Sequence, residues 1–128
     1  MEKSIIDMMI RIKNGYLARL STVEMPYSNF SEAVLKKILD LKYIKSYSIS
    51  EKKFKSLIIE LLYEDGNPRM TDIKIFSTQG RRWYISHKNI KRVLGGFGNS
   101  VISTSKGIKT DIEAKAEKIG GELLFNIW

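Results

Sequence analysis

The sequence contains no cysteine and a single histidine, His87. The first absence removes disulfides, thiol nucleophiles and most zinc sites, and the second leaves no two-histidine metal site and no relay. Neither a metal nor a cofactor is expected. Long apolar runs are missing as well, since nothing approaches the roughly 18 apolar residues of a membrane helix. The N-terminal MEKSIIDMMIRIKNG is interrupted by Glu2 and Asp7, so no secretory signal is expected. These absences predict a soluble protein with no membrane partner, working in the compartment where it is made. The last absence is of negative charge: from Ile73 to Thr110 there is no acidic residue, against eight basic ones. At the chain's frequency of 14 acidic residues in 128, that stretch of 38 should hold about four.

What is present is an ordinary globular composition, 43% hydrophobic and 28% charged over 128 residues, with a formal net charge of +8. The charge is uneven. Residues 1–65 hold 11 basic and 9 acidic residues, a net of +2, so most of the excess belongs to the second half. A one-signed surface attracts a polyanion and steers its approach. Each half has about 60 residues, a size that buries only about 60% of its unfolded surface, so two halves are expected to pack on one another.

Along the chain, Ser4 with Asp7 resembles a capping box, and Ile5, Met9, Ile12, Tyr16 and Leu20 recur at helical spacing. Asn14-Gly15 is a candidate early stop for that helix. A short strand, 21–25, runs into Pro26. Asn29 and Glu32 form a cap-like pair before the row Phe30, Val34, Ile38 and Leu41. The period then changes to two, predicting strands over 44–50 and 56–63 joined by the polar EKKFK. The turn EDGNP, Glu64 to Pro68, marks a domain boundary. Beyond it, strands are predicted over 72–76, 82–86 and 99–105, with helical turns over 87–94. Thr110 and Glu113 cap a short helix that Gly120-Gly121 ends, and ELLFNIW closes the chain as a strand. The fold class is α+β: domain 1–65 is α-β-α-β-β, and domain 66–128 is mainly β with short helices.

The richest segment is GGFGNSVISTSKGIKTD, 95–111, whose glycines, hydroxyls and lysines suit a phosphate loop, an RNA-reading surface or a plain turn. A phosphate loop of the G-x-x-x-x-G-K-[ST] type fails, because Lys106 precedes Gly107 instead of following a glycine. The dinucleotide fingerprint fails at Val101, which stands where a third glycine is needed. As a strand ending in a turn, the segment sends Val101, Ser103 and Ser105 to one face and Ile102 and Thr104 to the other. Such an end presents hydroxyls, backbone amides and one ammonium group, which read base edges, the ribose 2′-hydroxyl and phosphate. Strand-end and helix-cap preferences explain the same residues equally well. Alternation sends Trp83 and Tyr84 to opposite faces. Either one packs in the core and the other, taken as Tyr84, stacks on a base, or both are core aromatics, which spacing supports equally. Asp111, Glu113 and Glu117 look like solvated partners of Lys115 and Lys118, and no base supports a serine nucleophile. On residues alone three functions stand: an RNA-binding structural protein, a small nucleotide-using enzyme, and a basic module for an acidic protein partner.

The whole stretch from Gly95 to Trp128 resembles the C-terminal signature of the bacterial-type small-subunit ribosomal protein eight (S8) family. The likeness is strongest in Ser103-Thr104-Ser105-Lys106-Gly107, Thr110-Asp111, Glu113-Ala114 and Gly120-Gly121-Glu122, and extends to DMMIRIKNG, MPYS, Gly80, Arg82 and Tyr84. It implies two small α+β domains in a non-enzymatic ribosomal protein that binds a small-subunit ribosomal RNA helix with an irregular internal loop. It also implies a role in subunit assembly, neighbouring ribosomal proteins as partners, and repression of translation from its own messenger RNA. By match, Ser103, Thr104, Ser105, Lys106 and Gly107 form the main RNA loop, with Glu122, Tyr84 and Arg82 beside it. Arg11, Lys13, Asn14, Pro26 and Ser28 match the N-terminal surface that touches RNA backbone. The sequence departs from the family at Lys3-Ser4, where an Asp-Pro pair is usual, at Asn29, at Thr78-Gln79, and in EAKAEK where arginines are common. The expected location is the cytoplasmic ribosome, or an organellar one if the chain is organelle-encoded.

Overall fold

The computed structural model describes residues 3–128 and is α+β. The chain divides into two compact units, residues 7–71 and residues 72–128, the latter joined by residues 3–6 at the start of the first helix.

Helix α1 spans Lys3–Leu17 and buries Ile5, Met8, Met9, Ile12 and Tyr16. Ser4, expected as its cap, lies inside its first turn. Nor does the helix stop at Asn14-Gly15. A Cβ on Gly15 would lie 2.5 Å from Val23 Cγ1 and 3.1 Å from Leu61 Cδ1, so the glycine marks a close crossing and not a terminus. Its helical cost of about 1 kcal/mol relative to alanine is the condition for that approach. Leu20 falls beyond the helix end and is exposed.

In the first unit, β1 (Thr22–Pro26), β2 (Ser46–Ser50) and β3 (Ser56–Glu60) form an antiparallel sheet in the order β1-β3-β2. Helix α2 (Asn29–Asp40) supplies buried Val34, Leu35 and Ile38. Its cap is Ser28, not Asn29. The Ser28 side chain accepts from Ser31 N at 3.0 Å and lies 2.8 Å from Ser31 Oγ. Glu32 is used instead by two phenols, from Tyr27 at 2.8 Å and Tyr47 at 2.9 Å. The order α1, β1, α2, β2, β3 is the α-β-α-β-β expected. Asp65-Gly66 turns a small hairpin, β4 (Tyr63–Glu64) with β5 (Asn67–Pro68), inside this unit, and the units divide after Thr71.

The second unit is built around its last strand. Strands β6 (Ile73–Ile75), β7 (Tyr84–Ile85), β8 (Asn99–Thr104), β9 (Gly107–Thr110) and β10 (Gly121–Ile127) form one antiparallel sheet in the order β6-β10-β8-β9, with β7 also on β10. β9 is a strand that period and propensity had not suggested. Of the helical turns expected over 87–94, one 3₁₀ turn forms at His87–Asn89, whereas Leu94, Gly95 and Gly96 all take positive φ and form a left-handed turn. Helix α3 (Asp111–Ala116) begins at the expected capping box, in which Thr110 accepts from Glu113 N and the Glu113 carboxylate accepts from Thr110 N. Asp111 is buried and accepts from Asn99 Nδ2 at 3.1 Å, and Glu117 pairs with Lys109 at 3.4 Å, so neither is the solvated partner expected. Val101 and Ile102 are both fully buried, because this stretch of β8 is covered on both faces, and strand alternation does not separate inside from outside there.

Candidate nucleic-acid interface

The Ser103–Gly107 segment is the tip of the β8–β9 hairpin. Thr104 pairs with Gly107, leaving Ser105 and Lys106 as the connecting residues. Neither has a positive φ; the left-handed position is taken by Gly107 at φ 104°, the pattern of a turn closed by a glycine bulge. Thr104 locks this shape. Its hydroxyl donates to Gly107 O at 2.7 Å and accepts from Lys106 N at 3.1 Å. With the backbone held from both sides, the Ser105 hydroxyl and the Lys106 ammonium project from a fixed, exposed tip. Among the described residues, Lys106 has no ion-pair partner.

Beside the tip, three strands bring three residues into one row. Glu122 on β10 stands opposite Ser103 on one edge and opposite Tyr84 on the other. Directly paired residues project to the same face, about 5 Å apart, so hydroxyl, carboxylate and phenol ring form a line. Tyr84 is 69% exposed. The Glu122 side chain is 13% exposed and lies 3.4 Å from Arg82 Nη1. With Arg82 itself half-exposed, the pair contributes little to stability, but it places a cation beside the carboxylate. Trp83 does not fill the core as the alternation suggested. It stays 42% exposed, its ring edge-on to Phe76 at 5.7 Å, because it precedes the two-residue β7 and only its backbone joins β10.

Two supports of this row escaped sequence reasoning. Ser77, fully buried, donates to Leu123 O at 2.7 Å and accepts from Trp83 N at 2.9 Å, tying the Tyr84 segment to β10. No sequence signal distinguishes it. Gly121 is the other: a Cβ there would sit 2.2 Å from Ser103 O. Gly120-Gly121 reads as a helix stop, yet the chain leaves α3 through Lys118 at φ 54°, and the glycines serve strand contact. Their place directly before the first charged residue of a strand was the available clue.

The remaining expected residues lie in the first unit. Arg11 and Asn14 are exposed on α1, Lys13 is half-buried there, and Pro26 is exposed at the end of β1. Arg11 Nη1 donates to Glu24 O at 2.9 Å, which holds the guanidinium beside β1. The Ser28 hydroxyl is committed to its helix cap. The thirteen expected residues thus fall into two groups, one per unit. Of the acid-free segment's cations, Lys74, Arg81, Arg82, Lys88, Lys91, Arg92 and Lys106 are exposed, and all belong to the second unit.

Among the described residues no cluster of three or more His, Asp or Glu could hold a metal, and no helix is long and apolar enough to cross a membrane. A family model for ribosomal protein S8 matches residues 3–128. The chain belongs to the ribosomal protein S8 family. Curated relatives include the small ribosomal subunit protein uS8 of Dictyoglomus thermophilum, 43% identical over 97% of this chain and 95% of the relative. Those of Mycoplasmopsis synoviae and Pseudomonas savastanoi pv. phaseolicola are each 41% identical, over 97% and 100% of this chain and 96% and 98% of the relative. This S8 family consists of ribosomal structural proteins and not of enzymes. Chemically, hydroxyls and amides of this kind suit base edges and ribose, an ammonium suits phosphate, and an exposed ring suits stacking.

Proposed function

We propose that this S8-family chain is a structural component of the small ribosomal subunit that binds directly to a ribosomal RNA helix with an irregular internal loop. The reading rests on one observation above the rest: the row Tyr84–Glu122–Ser103 beside a hairpin tip locked by Thr104. An irregular loop exposes unpaired base edges, and such edges need donors and acceptors at fixed positions more than they need charge. Glu122 fits this role, since a carboxylate held near Ser103 accepts from an exocyclic amino group. Ser103, Thr104, Ser105, Lys106 and Gly107, with Glu122, Tyr84 and Arg82, form the main contact. Arg11, Lys13, Asn14, Pro26 and Ser28 form a second, backbone-directed one. Ser28 takes part through its backbone, because its hydroxyl caps α2. Subunit assembly, contact with neighbouring ribosomal proteins, repression of its own messenger and residence on a cytoplasmic or organellar ribosome belong to the same reading.

The test is binding of the full chain to a transcript of small-subunit ribosomal RNA across a salt series. About five neutralised phosphates should weaken binding roughly 10²–10³-fold for a fourfold rise in salt. Ser105→Ala should weaken it by about 1–3 kcal/mol at every salt concentration. Binding indifferent to salt, or displaced by acidic peptides and not by RNA hairpins, overturns the proposal.

A further inference from the structure

The connector between β2 and β3, Glu51-Lys52-Lys53-Phe54-Lys55, reads as a polar loop, but its phenylalanine is out of place. Phe54 is 79% exposed. A phenylalanine ring in water gains nothing from its position and is normally withdrawn into the core of a unit this small. Here it stands at a hairpin end whose strands are fully paired up to Ser50 and Ser56. Lys55 is tethered by its own contacts, with its carbonyl accepting from Tyr27 N at 3.0 Å and its ammonium 4.1 Å from the Tyr27 ring centroid. The loop is therefore anchored on one side of the ring, and Phe54 is presented by a held backbone.

The ring lines a groove of about 730 Å³ with Arg11, Pro26, Lys52, Lys53 and Ile58 among its other walls. That volume is within the usual range of small-ligand sites, about 300–1,000 Å³. One carboxylate, Glu24, also lines it, and its Oε1 accepts from Ser56 Oγ at 2.9 Å. Three cations against one engaged carboxylate suit a polyanion. A flat exposed ring beside them suits a planar group carried by that polyanion, which describes an unpaired nucleotide better than an apolar peptide.

We infer that Phe54 is a stacking platform for an unpaired RNA base, with Lys52, Lys53 and Arg11 holding the flanking phosphates. The inference rests on the RNA-binding reading and goes beyond it, because the first-unit contacts implied by family likeness are to RNA backbone, whereas this one takes a base. It depends on a residue type and not on charge. The free energy of stacking on an aromatic side chain corresponds to about 5- to 150-fold in affinity for one base, and it carries no counterion release.

The experiment is a salt series with the full chain and a small-subunit ribosomal RNA transcript that keeps its unpaired nucleotides. Phe54→Ala should weaken binding about 5- to 150-fold with an unchanged salt slope. Phe54→Trp should restore it, and Lys52→Gln should lower the slope by about 0.7–0.9 with a smaller change in affinity at high salt. The position is exposed, so these variants should melt with the wild type. If wild type binds the transcript and Phe54→Ala binds equally well, the stacking site is refuted while the RNA reading stands. If Phe54→Ala weakens binding but Phe54→Trp does not restore it, stacking is also refuted. If wild type shows no salt-dependent binding, both fall together.

Discussion

Replacing Gly121 by alanine tests the geometry on which the main interface depends. The added Cβ would lie 2.2 Å from Ser103 O, 2.9 Å from Ser103 C and 3.1 Å from Thr104 Cα, all of them backbone atoms that no rotamer change can move. Relief requires β10 and β8 to part by on the order of 1 Å at this point. A ladder hydrogen bond stretched by that much passes beyond the 3.5 Å at which it counts as one. The register Glu122↔Ser103 and Leu123↔Ile102 puts one or two such bonds at risk, each worth about 0.5–1.5 kcal/mol net. Alanine recovers a few tenths to 1 kcal/mol by restricting the unfolded chain. The net loss is then up to about 2.5 kcal/mol, or a fall in melting temperature of up to about 20 °C for a unit of this size. Gly80→Ala is the matched control, since a Cβ there meets nothing within 4 Å. It should melt at or slightly above the wild type. Gly121→Ala should also lose RNA affinity at temperatures where it remains folded, because Glu122 and Ser103 separate together. A Gly121→Ala protein that melts with Gly80→Ala would refute the close approach, and with it the fixed spacing of the row.

Thr104→Val keeps the shape of the side chain and removes both turn bonds, so it should cost about 1–2 kcal/mol of thermal stability and weaken RNA binding more than an equally destabilising core change; equal effects would show that the locked turn is not part of the interface. The pH dependence of melting should have two limbs. The Glu32 carboxyl is held below the ordinary range by the hydrogen bond from Tyr27 and then by that from Tyr47. Its stabilisation is therefore present above the unfolded value of 4.5 and lost as pH falls through the lower folded one, and Glu32→Gln should flatten that acid limb. Burial, then Glu32, pushes the Tyr47 phenol up to about 12. Its stabilisation is present below 10.0 and lost as pH climbs toward about 12, so Tyr47→Phe should flatten the alkaline limb. An acid limb unchanged in Glu32→Gln would remove the two-phenol account.

Features set by neighbouring residues were legible in the sequence. The helical rows of α1 and α2, the Thr110–Glu113 box and the closing strand all depend on groups within about four positions of one another. Errors arose where a local signal had two physical meanings. Asn14-Gly15 and Gly120-Gly121 both look like stops, and both exist because another segment passes too close for a Cβ. Whether a glycine serves a turn or a contact is decided by a partner far along the chain, Ser103 and Thr104 for Gly121, which a one-dimensional pattern does not contain. Asp111 and Glu117 failed in the same way. Their partners Asn99 and Lys109 lie on other strands, and helical spacing pointed to Lys115 and Lys118 instead. Ser77, whose hydroxyl joins segments 46 residues apart, gave no signal at all.

The same distinction explains why the candidate interface was recognisable as a string but not as a site. Ser103 to Gly107 is contiguous, and its composition already suggested hydroxyls and a cation at a turn. Tyr84 and Glu122 join it only because β10 is the centre of its sheet, with β7 on one edge and β8 on the other. A carboxylate within a basic surface looks misplaced until that pairing is known. With Arg82 3.4 Å from it and Ser103 opposite, the charge of Glu122 is offset in part, and its carboxylate is held as a placed acceptor. In the proposed reading, charge brings RNA to this unit without regard to sequence, and the row of hydroxyl, carboxylate and ring discriminates among the nucleotides that arrive. Glu122→Gln separates the two roles. It keeps the shape and one acceptor oxygen, so non-specific binding should strengthen slightly as a negative charge is lost. Affinity for the irregular loop relative to a plain duplex should fall by about 1–2 kcal/mol. If both RNAs bound more tightly by the same factor, Glu122 would be only a charge in the background, and discrimination would have to come from the hairpin tip alone.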